Sequence, residues 1–481
     1  MSKTILSDGD PQQGTEGSVI TASLLNALNN HHHTGQDVDG AGALAYAADT
    51  GATANVYEIA LSPALTAYIT GMRLAFKTTR VNTAAATLNI NGLGAKAIKK
   101  NVSGALDAGD IAAGKVIHVV YDGTNFQLLN HAVFASGRNT IINGILDLWQ
   151  RCGSKQITGQ DSQYVADRFK YTQSAGPTVT VSAATDVPTL AESGCKSAYS
   201  YKVNVDTADT DIGSTQYGMV RYHVEGLDIR RHMARNNTLS FWVRSNKTGY
   251  YNVAFQNGGH TRSRVESYNI AAAGVWQKVV IPCPIADESS GWNFGTGSGL
   301  EINFMLCCGS GIQTANTGWN SEDKWGKSGA EAQVNFYDTV NNYIEFALVQ
   351  FETGDSATPF EMRSYDQELR LASRYGEPLE GVLPAGAGGS TTAVYFNVTF
   401  ARKRIAPTPV YLAAAANYGV FDAAAGTYAC DSITDTVGYR TVKSAQFVCT
   451  KAGGYFVNGH SYGLSCGTIA GGAGIFMDAD F

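Results

Sequence analysis

Two groups of residues in this chain have types and spacings suited to chemistry. The first is Asn29-Asn30-His31-His32-His33-Thr34-Gly35, the one histidine cluster in the sequence. In extended backbone His31 and His33 point to one side and His32 to the other, so one chain aligns two imidazoles, too few for a closed metal site. Three copies around an axis would present six, enough for an octahedral shell around iron, nickel or zinc. Two plainer readings stand beside it: a solvated His-rich turn, or an axis on which neutral imidazoles stack. The second group is aromatic. Ser290-Gly291-Trp292-Asn293-Phe294-Gly295 and Gly318-Trp319-Asn320-Ser321-Glu322-Asp323-Lys324-Trp325-Gly326 set indoles beside amides and acids, and Tyr418 and Tyr462 lie in later turns. Indole faces stack on the C–H face of a pyranose while Asn and Asp bond its hydroxyls. Trp292, Trp319, Trp325, Tyr418 and Tyr462 are therefore the expected glycan- or receptor-binding residues. The competing reading is that tryptophans between glycines seal a core or an interchain contact.

Catalytic constellations are scarce. There is no H-E-x-x-H and no G-x-G-x-x-G opening a helix, and Gly326-Lys327-Ser328 fails as a phosphate loop because Ser321 stands where the first Gly belongs. Any two of the 41 acids could pair across a cleft. Asp287-Glu288 and Glu322-Asp323 nevertheless read as solvated loop charges, and the coil repeats of roughly 20–30 residues expected of a β-helical enzyme are absent. Eight cysteines without a C-x-x-C pair exclude a zinc ribbon or a thioredoxin-type motif. They read as buried apolar fillers, with Cys307 and Cys308 on opposite faces of one strand, one inward and one outward. A net charge of −6 and a pI near 5.9 leave no basic stripe, so nucleic acid is not an expected partner. No window approaches a membrane span and the first residues lack a signal-peptide core, so a soluble chain without membrane insertion is expected.

The elements that must carry these groups are mostly strands. With 53 Gly, 24 Tyr and 16% charged residues in 481, the composition fits many short strands joined by tight turns. Residues 1–17 read as an extended arm. Ile20, Leu24, Leu25 and Leu28 then fall on one helical face, and a helix this short needs a partner, most simply the same helix in sister chains. Residues 35–50 read as a linker. Short strands are expected at Val56–Leu61, Met72–Lys77, Ala86–Ile90, Lys96–Lys99, Lys115–Tyr121 and Phe126–Leu129, the last two joined at Asp122-Gly123-Thr124-Asn125, a strong hairpin signal. Asn139–Trp149 reads as a strand, a turn and an aromatic anchor, and Tyr164–Tyr171 as the first paired strand of a sandwich. Further strands are expected at Thr178–Ser182, Tyr199–Val205, Gln216–Val224, Thr238–Val243, Tyr250–Gln256, Trp276–Ile281, Leu300–Leu306 and Tyr343–Phe351, which suits a jelly roll. A helix over residues 365–376 places Tyr365, Leu369 and Ala372 on one face. A flexible Pro384–Ser390 loop leads to a final β unit opening at Val394–Phe400.

Asn139-x-x-Ile142-Asn143-Gly144, then Trp149-Gln150-Arg151 and Tyr164-x-Ala166-Asp167-Arg168-Phe169, together resemble the receptor-binding or tail-fibre proteins of bacteriophages and prophages. The likeness continues through Val349-Gln350-Phe351-Glu352-Thr353-Gly354 and Ala357–Tyr365, and residues 88–94 and 119–126 resemble a small domain repeated in such fibres. The resemblance implies a mainly β, elongated, multidomain homotrimeric fibre in the virion tail with short axial helices. Its expected parts are an attachment arm for tail or baseplate proteins (1–42), a small β shaft domain (43–135), a jelly-roll-like β-sandwich (136–364), a helical connector (365–377) and a C-terminal β tip (378–481). It also implies host-surface recognition in the C-terminal half, and it supports the metal reading of His31 and His33, since H-x-H pairs on a three-fold axis are a form of that family. Two alternatives remain: a glycan-degrading tailspike enzyme, and a purely structural collar or whisker protein.

Overall fold

The computed structural model describes residues 45–100, 102–106, 109–129, 137–174, 176–285, 291–379, 382–411, 417–422, 426–453, 456, 461–465 and 475–481. His31, His33 and the expected helical stripe at Ile20, Leu24 and Leu28 lie outside them. The chain divides into two compact units, 1–134 and 135–481.

In the first unit the described strands form one sheet, in the spatial order Ala45–Ala48, Arg73–Lys77, Val116–Tyr121, Phe126–Leu128, Lys96–Lys100, Thr87–Ile90 and Val56–Ile59, with the short strand Gly104–Ala105 also paired to Lys96–Lys100. Alternation explains the register: Ile117, Val119 and Tyr121 point inward from one strand and meet Phe76, Leu88, Ile98 and Phe126 in the core. The expected hairpin forms because Asp122 Oδ1 accepts the amides of Thr124 (2.8 Å) and Asn125 (2.7 Å), holding the turn. The linker expected up to residue 50 is corrected at its end, where Ala45–Ala48 pairs in parallel with Arg73–Lys77 as an edge strand.

The second unit is built on a sandwich of two antiparallel sheets. One runs Asp161–Ala166, Phe169–Gln173, Tyr217–Glu225, Ser298–Cys308, Gly249–Asn257, Ser263–Ile270 and Trp319–Asn320; the other runs Gln277–Pro282, Asn237–Ser245, Tyr343–Thr353, Ser200–Thr207, Thr178–Ala184 and Ser154–Ile157. Phe169, Tyr222, Phe241, Phe255, Phe304, Phe346 and Phe351 interleave between them. Cys307 and Cys308 do face opposite ways, but both are buried: Cys307 joins the sandwich core, while Cys308 joins Met219, Ala254, Val265, Met305 and Trp325 on the outer face. That outer face is apolar because residues 309–333 fold back over it.

Two expectations change here. Tyr164–Tyr171 is not one strand but the heart of a hairpin, with Asp167 and Arg168 in its turn and Arg168 at φ 70°. Asn139–Trp149 contains no strand; Ile141, Leu146 and Leu148 are buried in irregular chain. Asparagine amides stand in for a ladder. Asn143, at φ 57°, donates from Nδ2 to the carbonyls of Leu148 and Asp167 (both 2.9 Å), and its Oδ1 accepts from Leu148 N–H at 2.9 Å. Gly144 passes so close to the neighbouring strand that a Cβ there would lie 2.2 Å from Val349 O.

The helix forms at Tyr365–Ser373, capped by Ser364, whose hydroxyl accepts the Gln367 amide. Leu369 and Ala372 share a face as expected, and that face packs on Ile142 and Leu148 of the same chain. Tyr365 departs from the expected buried stripe and is 65% exposed, because Glu368 takes the inward position to accept the Asn143 amide (2.9 Å) and pair with Arg363 (3.1 Å). Beyond it, the expected Pro384–Ser390 loop is largely strand, Val382–Gly388. This strand belongs to a seven-stranded sheet ordered Gly426–Ala429, Gly419–Asp422, Ser461–Ser465, Val382–Gly388, Ala393–Thr399, Ser444–Thr450 and Ser432–Asp435. Its two edge strands are consecutive in sequence and separated only by Cys430 and Asp431. A two-residue step cannot cross a flat sheet of this width, so the sheet curls until its edges meet.

Candidate functional site

The sequence motifs at the head of the sandwich converge in space, and their side chains bond to one another. Asn139 donates its amide to Glu361 (2.6 Å) and its Nδ2 to Val349 O (3.2 Å), while its Oδ1 accepts the Phe351 amide (3.0 Å). Gln350 donates to Glu352 (2.8 Å), which also accepts the Thr358 hydroxyl (2.6 Å). Trp149 donates its indole N–H to Leu146 O at 2.7 Å and stacks on Tyr201 at 5.6 Å. Arg151 pairs with Asp480 (2.8 Å), Asp478 (3.2 Å) and Asp167 (3.5 Å). Arg168, 1% exposed, bonds Asp480 and the His223 carbonyl (2.5 Å), with its guanidinium 3.5 Å from the Tyr375 ring centroid. The two guanidinium groups hold the Asp480 carboxyl below the usual carboxylate range although it is fully buried. These residues weld the sandwich to the final strand, Ile475–Asp478, and the residues after it, although Arg168 Nε and the Tyr201 hydroxyl are buried without a hydrogen-bond partner.

The tryptophan loops give a different picture. Trp319 and Asn320 form a short edge strand paired with Arg264 and Ser263. The Trp319 indole N–H donates to Pro284 O at 2.7 Å, which fixes the ring, and Trp292 meets it edge to face at 5.5 Å and 80°. Thr261, Arg262, Gly291, Trp319, Asn320 and Ser321 line an open cleft of about 520 Å³, within the span of small-ligand sites. Asn320 is itself pinned: its Nδ2 donates to Ser263 O (3.2 Å), and its Oδ1 accepts from Thr314 and Asn316 (both 3.1 Å). The cleft thus has an immobilised indole in its wall and an exposed Ser321 at its rim.

The remaining expected residues are placed otherwise. Trp325 is 6% exposed and stacks on Tyr217 at 5.0 Å and 9°, with the Arg221 guanidinium 5.1 Å from its ring centroid. It covers the apolar outer face of the sheet, so its expected role as a sugar platform is corrected. Tyr418 is fully buried and Tyr462 is 2% exposed, both in the core of the C-terminal sheet, so neither is the exposed turn residue the sequence led us to expect. Thr261 and Arg262 were missed. They sit in the turn between Gly249–Asn257 and Ser263–Ile270, and the only sequence sign of that turn was Asn257-Gly258-Gly259.

His260, in the same turn at φ 53°, lies beside the cleft. Its ring nitrogens meet Asp323 and Glu301, each at 3.2 Å. Hydrogen bonds to Asp323 and then Glu301 push its pKa up to about 9 against the opposing effect of burial. The ring is cationic at neutral pH and ties the turn to the loop carrying Trp319 and Trp325. Glu322, in the same loop, is exposed and pairs with Lys324 at 3.1 Å; Asp287 and Glu288 lie outside the described residues. Among the described residues no group of three His, Cys, Asp or Glu could hold a metal ion, and no helix is long and apolar enough to cross a membrane. Gly463-Leu464-Ser465-Cys466-Gly467 matches the G-x-S-x-G spacing of a nucleophile elbow. Ser465, however, ends an antiparallel strand and is paired with Val382 on one side and Gly419 on the other; the residues directly after it lie outside the described ones.

No protein-family model and no curated protein matches the chain. Solved structures with some likeness include the enzymatically active domain of bacteriophage CBA120 tailspike protein 4, at 14% identity over 45% of this chain and 22% of that one, with a TM-score of 0.26. Others are the module TmCBM61 in complex with β-1,4-galactotriose (8% identity, 45% of this chain and 100% of that one, TM-score 0.24) and a receptor binding domain (9%, 71% and 95%, TM-score 0.20). The first match spans about a fifth of the tailspike chain. At these TM-scores the likenesses decide neither fold nor ligand.

Proposed function

We propose that this chain is a receptor-binding tail-fibre protein of a bacteriophage or prophage particle, and that it binds surface glycan at the Trp319 cleft. The observation that carries the reading is the cleft itself: an indole fixed by its bond to Pro284 lines an open, polar-rimmed space of about 520 Å³. A fixed aromatic wall loses little conformational freedom when a sugar stacks on it. In this reading the chain acts as a homotrimer in the virion tail, residues 1–42 dock to tail or baseplate proteins, and three clefts add avidity to a weak contact. His31 and His33 hold a transition metal such as iron, nickel or zinc on the trimer axis.

Glycan cleavage is the less favoured reading, because the acids near the cleft are engaged elsewhere. Asp323 and Glu301 share His260, and Asp323 also accepts from Gln256. The two readings separate on incubation with host polysaccharide. A fibre that only binds retains the polymer on immobilised protein and releases no oligosaccharide, whereas released oligosaccharide would establish the enzyme. For the metal, elemental analysis of the purified full chain is expected to give one transition-metal ion per three chains, and a metal-free trimer would remove that part.

A further inference from the structure

Two thiols meet at the seam of the curled C-terminal sheet. Cys430 lies in the two-residue step between the edge strands Gly426–Ala429 and Ser432–Asp435, its amide donating to Tyr418 O at 2.9 Å. Cys449 lies in Ser444–Thr450, opposite Ile433 in the antiparallel ladder, and the Asp431 amide donates to Thr450 O at 2.8 Å. Both sulfurs belong to one core cluster with Tyr418, Val420 and Phe447; Cys430 is 2% exposed and Cys449 fully buried. The two side chains are hydrogen-bonded to each other. That contact sets them apart. Cys152, Cys195, Cys283, Cys307 and Cys308 all have their thiols pushed up by burial, whereas Cys430 is drawn below the ordinary thiol value, first of all by its bond with Cys449.

We propose that Cys430 and Cys449 are a disulfide-forming pair that locks the sheet closed in an oxidising medium. The two-residue step is otherwise the only covalent link across the seam, so a sulfur–sulfur bond there would tie the edge-to-edge crossing directly to the penultimate strand. The step balances with a low-molecular-weight disulfide as oxidant. The Cys430 thiolate attacks one sulfur of that disulfide and expels a small thiolate. Cys449, its proton passed to solvent, then attacks the Cys430 sulfur of the mixed disulfide and expels nothing from the protein but the second small thiolate. Two protein thiols are oxidised and one small disulfide is reduced to two thiols.

The test uses the full chain, incubated with oxidised or with reduced glutathione, alkylated with iodoacetamide in denaturant, digested and read by mass spectrometry. We expect a linked peptide joining Cys430 to Cys449 and about a tenfold fall in alkylation at both sites after oxidation, with Cys195, Cys283, Cys307 and Cys308 still alkylated. Cys430→Ala should restore full alkylation of Cys449, whereas Cys449→Ala, which lacks the resolving thiol, should leave Cys430 as a glutathione mixed disulfide with no protein–protein link, so one well-folded variant suffices. The thermal midpoint of oxidised wild type should fall on reduction, while that of either variant should not move. Full alkylation of both residues after oxidation would overturn the proposal, as would links from either to a different cysteine.

Discussion

At the scale of single residues, Trp319 and His260 make separable predictions. Trp319→Ala removes the fixed wall of the cleft while its neighbour Trp292 stays packed on the core. The expected loss is about 2 kcal/mol of glycan binding, roughly thirtyfold in affinity, read by titration on immobilised host glycan. Trp325→Ala should act on stability first, because that ring covers Met219, Met305 and Cys308 and faces no open cleft; truncating such a ring costs about 3–5 kcal/mol. His260 gives a pH dependence. Its folded pKa, about 9, lies above the value near 6.5 of an unfolded histidine. Its contribution to stability is therefore complete below about pH 6.5 and is lost as the pH rises through about 9. Thermal midpoints should decline across that window in the wild type and decline less in His260→Asn, a substitution suited to the positive φ at this turn. Equal decline in both would show that the ion pairs with Asp323 and Glu301 hold nothing together.

At the scale of elements, the hairpin turn at Asp167-Arg168 is the joint between the sandwich and the final strand. Arg168→Ala leaves Asp480 buried beside one guanidinium instead of two, and breaking such a pair costs about 3–5 kcal/mol. A denaturation midpoint within about 1 kcal/mol of wild type would contradict the weld. This joint also shows what the sequence could and could not convey. Strands such as Thr87–Ile90 and Val116–Tyr121 were legible because Leu88, Ile90, Ile117 and Val119 alternate cleanly with polar residues on a sheet buried on one face. Asn139–Trp149 was misread because its apolar run has the composition of a strand, while its partners are the side-chain amides of Asn139 and Asn143, which leave no periodic trace. Ser263–Ile270 went unseen because its alternation slips by one residue at Glu266-Ser267, with Ser263 and Val265 buried before the slip and Tyr268 and Ile270 after it. The tryptophan loops were legible as aromatic loops, but exposure was not. Trp319 reaches a cleft and Trp325, six residues on, seals a sheet face whose apolar character showed only in the unbroken run Met305–Cys308. Tyr418 and Tyr462 failed for the same reason: a ring between small residues reads alike whether the loop carries it outward or a curled sheet closes over it.

At the scale of the molecule, residues 135–481 form a contact-dense unit that holds both the cleft and the weld, whereas 1–134 form a separate one. A fragment spanning 139–481 should fold, bind host cells and run as a trimer in native mass spectrometry. A fragment spanning 1–135 should not bind. Blocking of particle adsorption by the N-terminal fragment alone would move recognition out of the sandwich. The most direct test of the central claim is equilibrium binding of the full chain to an array of bacterial surface glycans, wild type beside Trp319→Ala, with thermal unfolding run on both to confirm the fold. The account predicts saturable binding to a restricted set of glycans that falls roughly thirtyfold in the variant at a temperature where both proteins are folded. Undiminished binding by a folded Trp319→Ala variant would contradict it.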